Sequence, residues 1–198
     1  MFEMLGAVYN KDNLLDIVHR ILKDCKQNVN YDKLKEVFTE FMYGNLDENH
    51  FWKRLEIDNH MMPRKLILEE IENALDKEFL DILPLFSGNR IVLKGNLPQE
   101  WGEFILESTT VSNLIHSYIF SGSLGKDVND EEFLNLLKDR LGENILFIET
   151  DLDNYEKIKR AGFQPIFLLR KPIHVGSVKP DVVISRLKQL EDLLGEGV

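Results

Sequence analysis

Residues 144–163 read NILFIETDLDNYEKIKRAGF, and this stretch decides the fold. Ile145-Leu146-Phe147-Ile148 is a short unbroken apolar run, the pattern of a strand buried on both faces of a parallel sheet. An acidic turn follows, Glu149-Thr150-Asp151-Leu152-Asp153. The next segment predicts a helix opening at Asn154 and closing at Gly162, with Lys157, Lys159 and Arg160 in its last turns, where cations complement the helix dipole. Pro165-Ile166-Phe167-Leu168-Leu169 is a second apolar run. Strand, turn, helix and strand make one βαβ unit, with its acidic turn at the carboxyl edge, where open α/β sheets bind ligands.

Working outward, the C-terminal side predicts a last strand at Asp181–Ile184 and a last helix at Leu187–Leu194. On the N-terminal side, Arg90–Lys94 reads as a strand, Gly95-Asn96 as a turn and Pro98–Glu107 as a helix with proline near its first turn. Ile115–Phe120 is another strand, followed by the Gly-rich turn Ser121–Gly125 and a helix over Asp130–Leu141. Met1–Val8 reads as a buried first strand running into a turn at Gly6.

Between that strand and Pro84 the period is helical. Leu14, Leu15, Val18, Ile21 and Leu22 recur at helical spacing, as do Leu34, Val37, Phe38 and Phe41. Asp47 suits the cap of a third helix carrying Phe51, Trp52 and Leu55, and Pro63 the start of a fourth. A short helix near Phe79–Leu83 precedes Pro84. The expected class is α/β: a Rossmann-like parallel sheet formed by residues 1–10 and 85–198, with an all-helical cap inserted at 11–84.

Composition limits the function. The 198 residues carry a formal charge of −10, against the basic face that a nucleic-acid or anionic-membrane surface needs. No apolar run approaches the roughly 20 residues of a membrane span, and the N-terminus lacks a secretory pattern. With Cys25 as the single cysteine there is no internal disulfide and no multi-cysteine metal site. A soluble cytoplasmic protein is the simplest expectation. His19, His50, His60, His116 and His174 show no ligand spacing, and Met61-Met62 read as core.

In its order of elements the chain resembles the haloacid dehalogenase-like (HAD) superfamily, in the form whose helical cap follows the first strand. Tyr43-Gly44 followed by Phe51-Trp52 is similar to that family's cap pattern. Ile145–Ile148 through Ala161-Gly162 is similar to its fourth motif with its helix, and Pro180–Ile184 through Leu194 to its usual ending.

The resemblance implies a phosphohydrolase site, and the residues depart from it. The family's first motif carries two aspartates at i and i+2, a nucleophile and a general acid/base; the matching positions are Glu3 and Leu5, before Gly6. Leucine cannot transfer a proton, and glutamate moves its carboxylate by a methylene. The second motif's Ser or Thr falls at Gly95, with Asn96 beside it. The third motif's lysine falls at Lys126, without its usual Lys-Pro context. The fourth motif's metal-holding aspartate pair falls at Glu149-Thr150, with Asp151 near.

The resemblance thus marks Glu3, Leu5 and Lys126 as motif-equivalent catalytic positions. Gly6, Gly95, Asn96 and Lys126 become candidate ligand contacts, and Glu3, Glu149 and Asp151 candidate metal ligands. Each also has a plainer reading: strand-end carboxylates, tight turns, a solvated lysine, and acids that cap the following helix. The expectation is a catalytically inactive relative acting through a protein partner or a small phosphorylated ligand, with no cofactor, no nucleic acid and no membrane, and its oligomeric state open. The alternative is an atypical Mg²⁺-dependent phosphomonoester hydrolase using Glu3, Lys126 and Glu149.

Overall fold

Among the described residues six parallel strands form one sheet in the order β3-β2-β1-β4-β5-β6. They are β1 (Phe2–Glu3), β2 (Val92–Gly95), β3 (Ser117–Phe120), β4 (Leu146–Glu149), β5 (Gln164–Leu168) and β6 (Val183–Ile184). The structure is a computed structural model, and it describes residues 1–11, 13–142, 144–171 and 179–195.

The first strand lies at the centre, as its apolar character requires, but it is shorter than the sequence predicts. After Glu3 the chain leaves the sheet in a wide turn over Met4–Val8, extended at Leu5 and reversed at Gly6, with Tyr9 N donating to Met4 O at 2.9 Å. Gly6 makes this turn possible: its φ is +103°, and an added Cβ would run into Thr150 Oγ1. Phe2 packs edge-on against Phe79 and Phe86, at 5.4 and 5.5 Å.

Helices α1 (Leu14–Asp24), α2 (Tyr31–Met42), α3 (Glu48–Arg54), α4 (Met61–Glu72) and α5 (Lys77–Ile82) separate β1 from β2. Asn13, Asn30, Asp47 and Asp76 cap α1, α2, α3 and α5 through their side chains. Helix α4 starts two residues before Pro63, which sits in its first turn. Met61 and Met62 are not core, as their sequence suggested, but 68% and 58% exposed in the first turn of α4. Helix α5 lies against the end of the chain, where Glu78 pairs with Arg186 and Asp81 with Lys188.

The remaining helices are α6 (Gln99–Ser108), the short α7 (Ser121–Leu124), α8 (Glu131–Leu141), α9 (Leu152–Arg160) and α10 (Leu190–Gly195). One large core joins the sheet to α1–α6, and a smaller one joins Met1 and Phe147 to Phe133, Leu134, Leu137, Ile158 and Phe163 of α8, α9 and the turn after α9. The sheet is therefore covered on both faces, which explains its unbroken apolar strands. Among the described residues no helix is long and apolar enough to cross a membrane.

Candidate functional site

The carboxyl ends of the three central strands bring Glu3 (β1), Lys94 (β2) and Glu149 (β4) together. Glu3 and Lys94 are register partners across the β1–β2 pairing, so their side chains leave the same face of the sheet. Lys94 is wholly buried, and its ammonium is met by three oxygens: Glu3 Oε2 at 2.8 Å, Asn129 Oδ1 at 2.6 Å and Glu149 Oε1 at 2.5 Å. Two of these contacts are hydrogen bonds, to Glu3 and Asn129, and the third, to Glu149, is an ion pair.

A loop delivers Asn129. Asn96 Nδ2 donates to Asp127 Oδ1 at 2.9 Å, Val128 N donates to Asn96 Oδ1 at 3.0 Å, and Lys157 pairs with Asp127 Oδ2 at 3.2 Å. Asn96 is thus the clamp that fixes the 127–129 loop. The Glu149 carboxylate touches Lys94 as a charge contact without hydrogen-bond alignment, and Glu149 Oε2 and Asn129 Nδ2 have no hydrogen-bond partner among the described residues.

Burial raises the proton affinity of both glutamates, and the Lys94 charge only partly offsets it; for Glu149 the result is a pKa pushed up to about 8. Burial works against the Lys94 charge, but the two carboxylates outweigh it and hold the ammonium above its ordinary value. A carboxyl whose folded pKa exceeds its usual 4.5 contributes stability that is complete below that pH and lost as pH rises toward about 8. Glu149→Gln has no such proton to lose. Its melting temperature minus that of wild type is therefore expected to increase between pH 5 and pH 8, with Lys94 still paired to Glu3. Scanning calorimetry of both proteins across that range checks this, and a difference independent of pH contradicts it.

A cleft of about 570 Å³ opens above this cluster, between the sheet edge and α1–α2. Glu3 and Leu5 form its floor; Leu14, Phe38, Met42 and Phe167 supply apolar wall; Asn96, Thr150, Lys35 and Lys171 supply polar atoms. Arg170 also lines it but is engaged, donating to Gly6 O and Ala7 O and pairing with Asp76 at 2.5 Å.

The structure brings Glu3, Leu5, Asn96 and Asp151 to one cleft, and Lys126 elsewhere. Lys126 pairs with Asp130 and Glu132 at 3.2 and 2.8 Å at the start of α8, so the lysine of this centre is Lys94. Gly6 serves the turn against Thr150. Gly95 serves packing, since an added Cβ would press on the Leu97 side chain and Met4. The Ser121–Gly125 turn forms α7 and anchors to the helical block through Ser121 Oγ, which donates to Met42 O at 2.8 Å.

Glu3, Glu149 and Asp151 do not form a cation cage. The two glutamates converge on Lys94, while Asp151 is exposed and caps α9, accepting from Asn154 N at 2.9 Å. Among the described residues no three acidic, histidine or cysteine side chains are grouped to hold a metal. A dication needs open carboxylate oxygens, and here an ammonium already sits among them, so the residues do not fit Mg²⁺. Of the histidines, His50 pairs with Asp47, His60 stacks on Trp52 and His116 accepts from Ile91 N; His174 lies outside the described residues.

Lys94 is the residue that sequence reasoning missed. Its signal was a charge closing the apolar run Ile91-Val92-Leu93 in a strand of a sheet covered on both faces, where a buried lysine persists only if carboxylates meet it.

No protein-family model matches the chain, and no curated protein sequence does. Solved structures do. A 2-haloacid dehalogenase from Pseudomonas syringae pv. Tomato DC3000 superposes with a TM-score of 0.70 at 14% identity, over 100% of this chain and 97% of that one. A HAD family enzyme from Bacteroides thetaiotaomicron, in complex with magnesium and inorganic phosphate, superposes with a TM-score of 0.63 at 13% identity, over 90% of this chain and 97% of that one. The chain therefore has the HAD-like, Rossmann-like α/β fold. At this identity the likeness concerns the fold, and the chemistry rests on the side chains themselves.

Proposed function

We propose that this HAD-like protein binds a small phosphorylated ligand in the cleft above Glu3 without hydrolysing it. The observation that carries the reading is the engagement of the Glu3 carboxylate by a buried ammonium. An ion pair with an ammonium lowers the nucleophilicity of a carboxylate and restricts its movement, and Glu3 Oε2 is 2.8 Å from Lys94 Nζ in an arrangement held by three strands and the 127–129 loop.

Leu5 supports the same reading. It lines the cleft at the position where a proton-transferring group would stand, and general acid–base help is worth about 10²–10⁴-fold per step. Lys35 and Lys171 line the cleft together with the carboxylates of Glu3 and Asp151, and Asn96 and Thr150 supply hydrogen-bonding atoms, a mixed polar lining with an apolar wall in which a small ligand with an apolar portion can be oriented.

The test is a phosphatase screen on p-nitrophenyl phosphate and common metabolite monoesters, with and without Mg²⁺. The expected result is no sustained turnover, with at most a single-turnover burst. Restoring Leu5→Asp together with Glu3→Asp is expected to rescue little, because Lys94 and Gly95 remain. Steady wild-type turnover that disappears in Glu3→Gln would establish the hydrolase instead, with Glu3 as nucleophile.

A further inference from the structure

Helix α4 turns an unusually apolar surface to solvent. Met61, Met62 and Leu66 are exposed on it, and Phe104 of α6 is exposed beside it. Between the two helices runs a groove of about 660 Å³, whose apolar lining comes from Met61, Met62, Leu68 and Phe104. It shares no lining residue with the cleft above Glu3. Clustered exposed apolar side chains of this kind mark an interaction surface.

Charge selects the partner. The charged residues along the groove are ordered, with Arg64 and Lys65 in the first half of α4 and Glu69 and Glu72 in the second, so the face is neutral in a chain of charge −10. Arg64 pairs with Glu48 at 2.7 Å and lies over the Phe104 ring, and Glu72 accepts from Ser108 Oγ at 2.7 Å. Lys65 and Glu69 keep their charge toward solvent: they stand 3.6 Å apart, with 66% and 46% of their side chains exposed, a pairing worth little in water.

We propose that this face joins two copies of the chain, with α4 packed antiparallel on α4 of the second copy about a twofold axis level with Ile67. Lys65 and Glu69 lie equally far from Ile67 in the helix, so the axis sets Lys65 of each copy opposite Glu69 of the other. Parallel helices would set like charges together instead. Met61 and Met62 of each copy fall on the other's groove, and their unbranched side chains adapt to fill it. Over the rest of the surface the net negative charge drives two copies apart, so the neutral face is where they can approach. The interface goes beyond the ligand-binding reading and does not depend on it.

The experiment is sedimentation velocity of the full chain over a concentration series, at low and high salt. Wild type is expected to form a dimer at micromolar concentration that weakens as salt rises. Lys65→Glu and Glu69→Lys, both at exposed positions, are expected to melt as wild type does. Each places like charges together on both sides of the axis and should weaken dimerisation at least about tenfold. Mixed in equal amounts, these two variants should associate with each other, because one carries only negative charge at the two positions and the other only positive. Met61→Ser/Met62→Ser should weaken the dimer while leaving its salt dependence unchanged.

Lys65→Gln and Glu69→Gln remove each charge without reversing it and repeat the test if a reversal does not fold; a smaller loss of dimer supports the interface. Wild type that stays monomeric across the series overturns the proposal. A dimer that tolerates the charge variants unchanged overturns it as well, as do reversal variants that fold but fail to associate when mixed. Phosphate release is not read at any step, so a hydrolytic wild type and an absent dimer are distinguishable results.

Discussion

Replacing Lys94 with methionine is expected to lower stability by about 3–5 kcal/mol, the usual cost of removing one partner from a buried ion pair. Methionine keeps most of the volume, so cavity formation contributes little and the loss reports charge. What remains would be Glu3 and Glu149 facing each other in a water-poor pocket, and Asn129 Oδ1 without its donor. For a chain of this size the loss amounts to a fall of roughly 10 °C in melting temperature. Urea denaturation of Lys94→Met, Glu149→Gln and the double variant closes the cycle. Glu149→Gln should recover part of the loss, because the second uncompensated carboxylate disappears. A Lys94→Met protein within about 1 kcal/mol of wild type would mean that the ammonium is not what holds the three strands' polar ends together.

Trp101→Ala is expected to cost a comparable amount, about 3–5 kcal/mol for a fully buried tryptophan. Trp101 stands on α6, but its ring lies among helical-block aromatics, 5.2 Å from Phe41, 6.0 Å from Phe51 and 6.2 Å from both Phe38 and Trp52. Its Nε1 donates to Glu48 Oε1 at 2.8 Å, an oxygen that also accepts from Trp52 Nε1 and Arg64 Nε. Truncation therefore removes apolar contact between α6 and the block and takes one donor from a half-buried carboxylate. Trp101→Phe separates these contributions, since it keeps much of the ring packing and loses the hydrogen bond. Only two tryptophans are present, so intrinsic fluorescence of the alanine variant comes from Trp52 alone and should shift to the red as the cluster loosens. An unshifted spectrum with unchanged stability would show that the ring is not what docks α2 and α3 on the sheet's helical layer.

Much of the architecture was readable from local pattern. The run Ile145–Ile148 forms β4, and the cations Lys157, Lys159 and Arg160 fall in the last turn of α9, because apolar continuity and dipole complementation are properties of short segments. The 3.6-residue recurrence of Leu14 through Leu22 and Leu34 through Phe41 matches the buried faces of α1 and α2 for the same reason. Boundaries were less legible. The α9 helix begins at Leu152 with Asp151 as its cap, two residues before Asn154, since capping depends on which side chain reaches the free backbone N–H groups. The shortening of β1 to Phe2–Glu3 depends on how closely Gly6 approaches Thr150, a contact between segments far apart in the chain.

By itself, then, the sequence determined an α/β order of strands and helices, the acidic turn at the carboxyl edge and the absence of an aspartate pair in the first motif. Only the tertiary structure decided what the remaining charges do. Lys126 lies in the loop expected to supply the site's lysine, yet it finds Asp130 and Glu132 within its own neighbourhood and stays solvated. Lys94 looked like the polar end of a strand, and the β1–β2 register carries it beneath Glu3 and Glu149, 91 and 55 positions away in the chain. Periodicity encodes which face a residue takes, whereas the electrostatics of a buried site depends on strand register and on loops that bring distant oxygens within 3 Å of one nitrogen, and these exist only once the sheet has assembled.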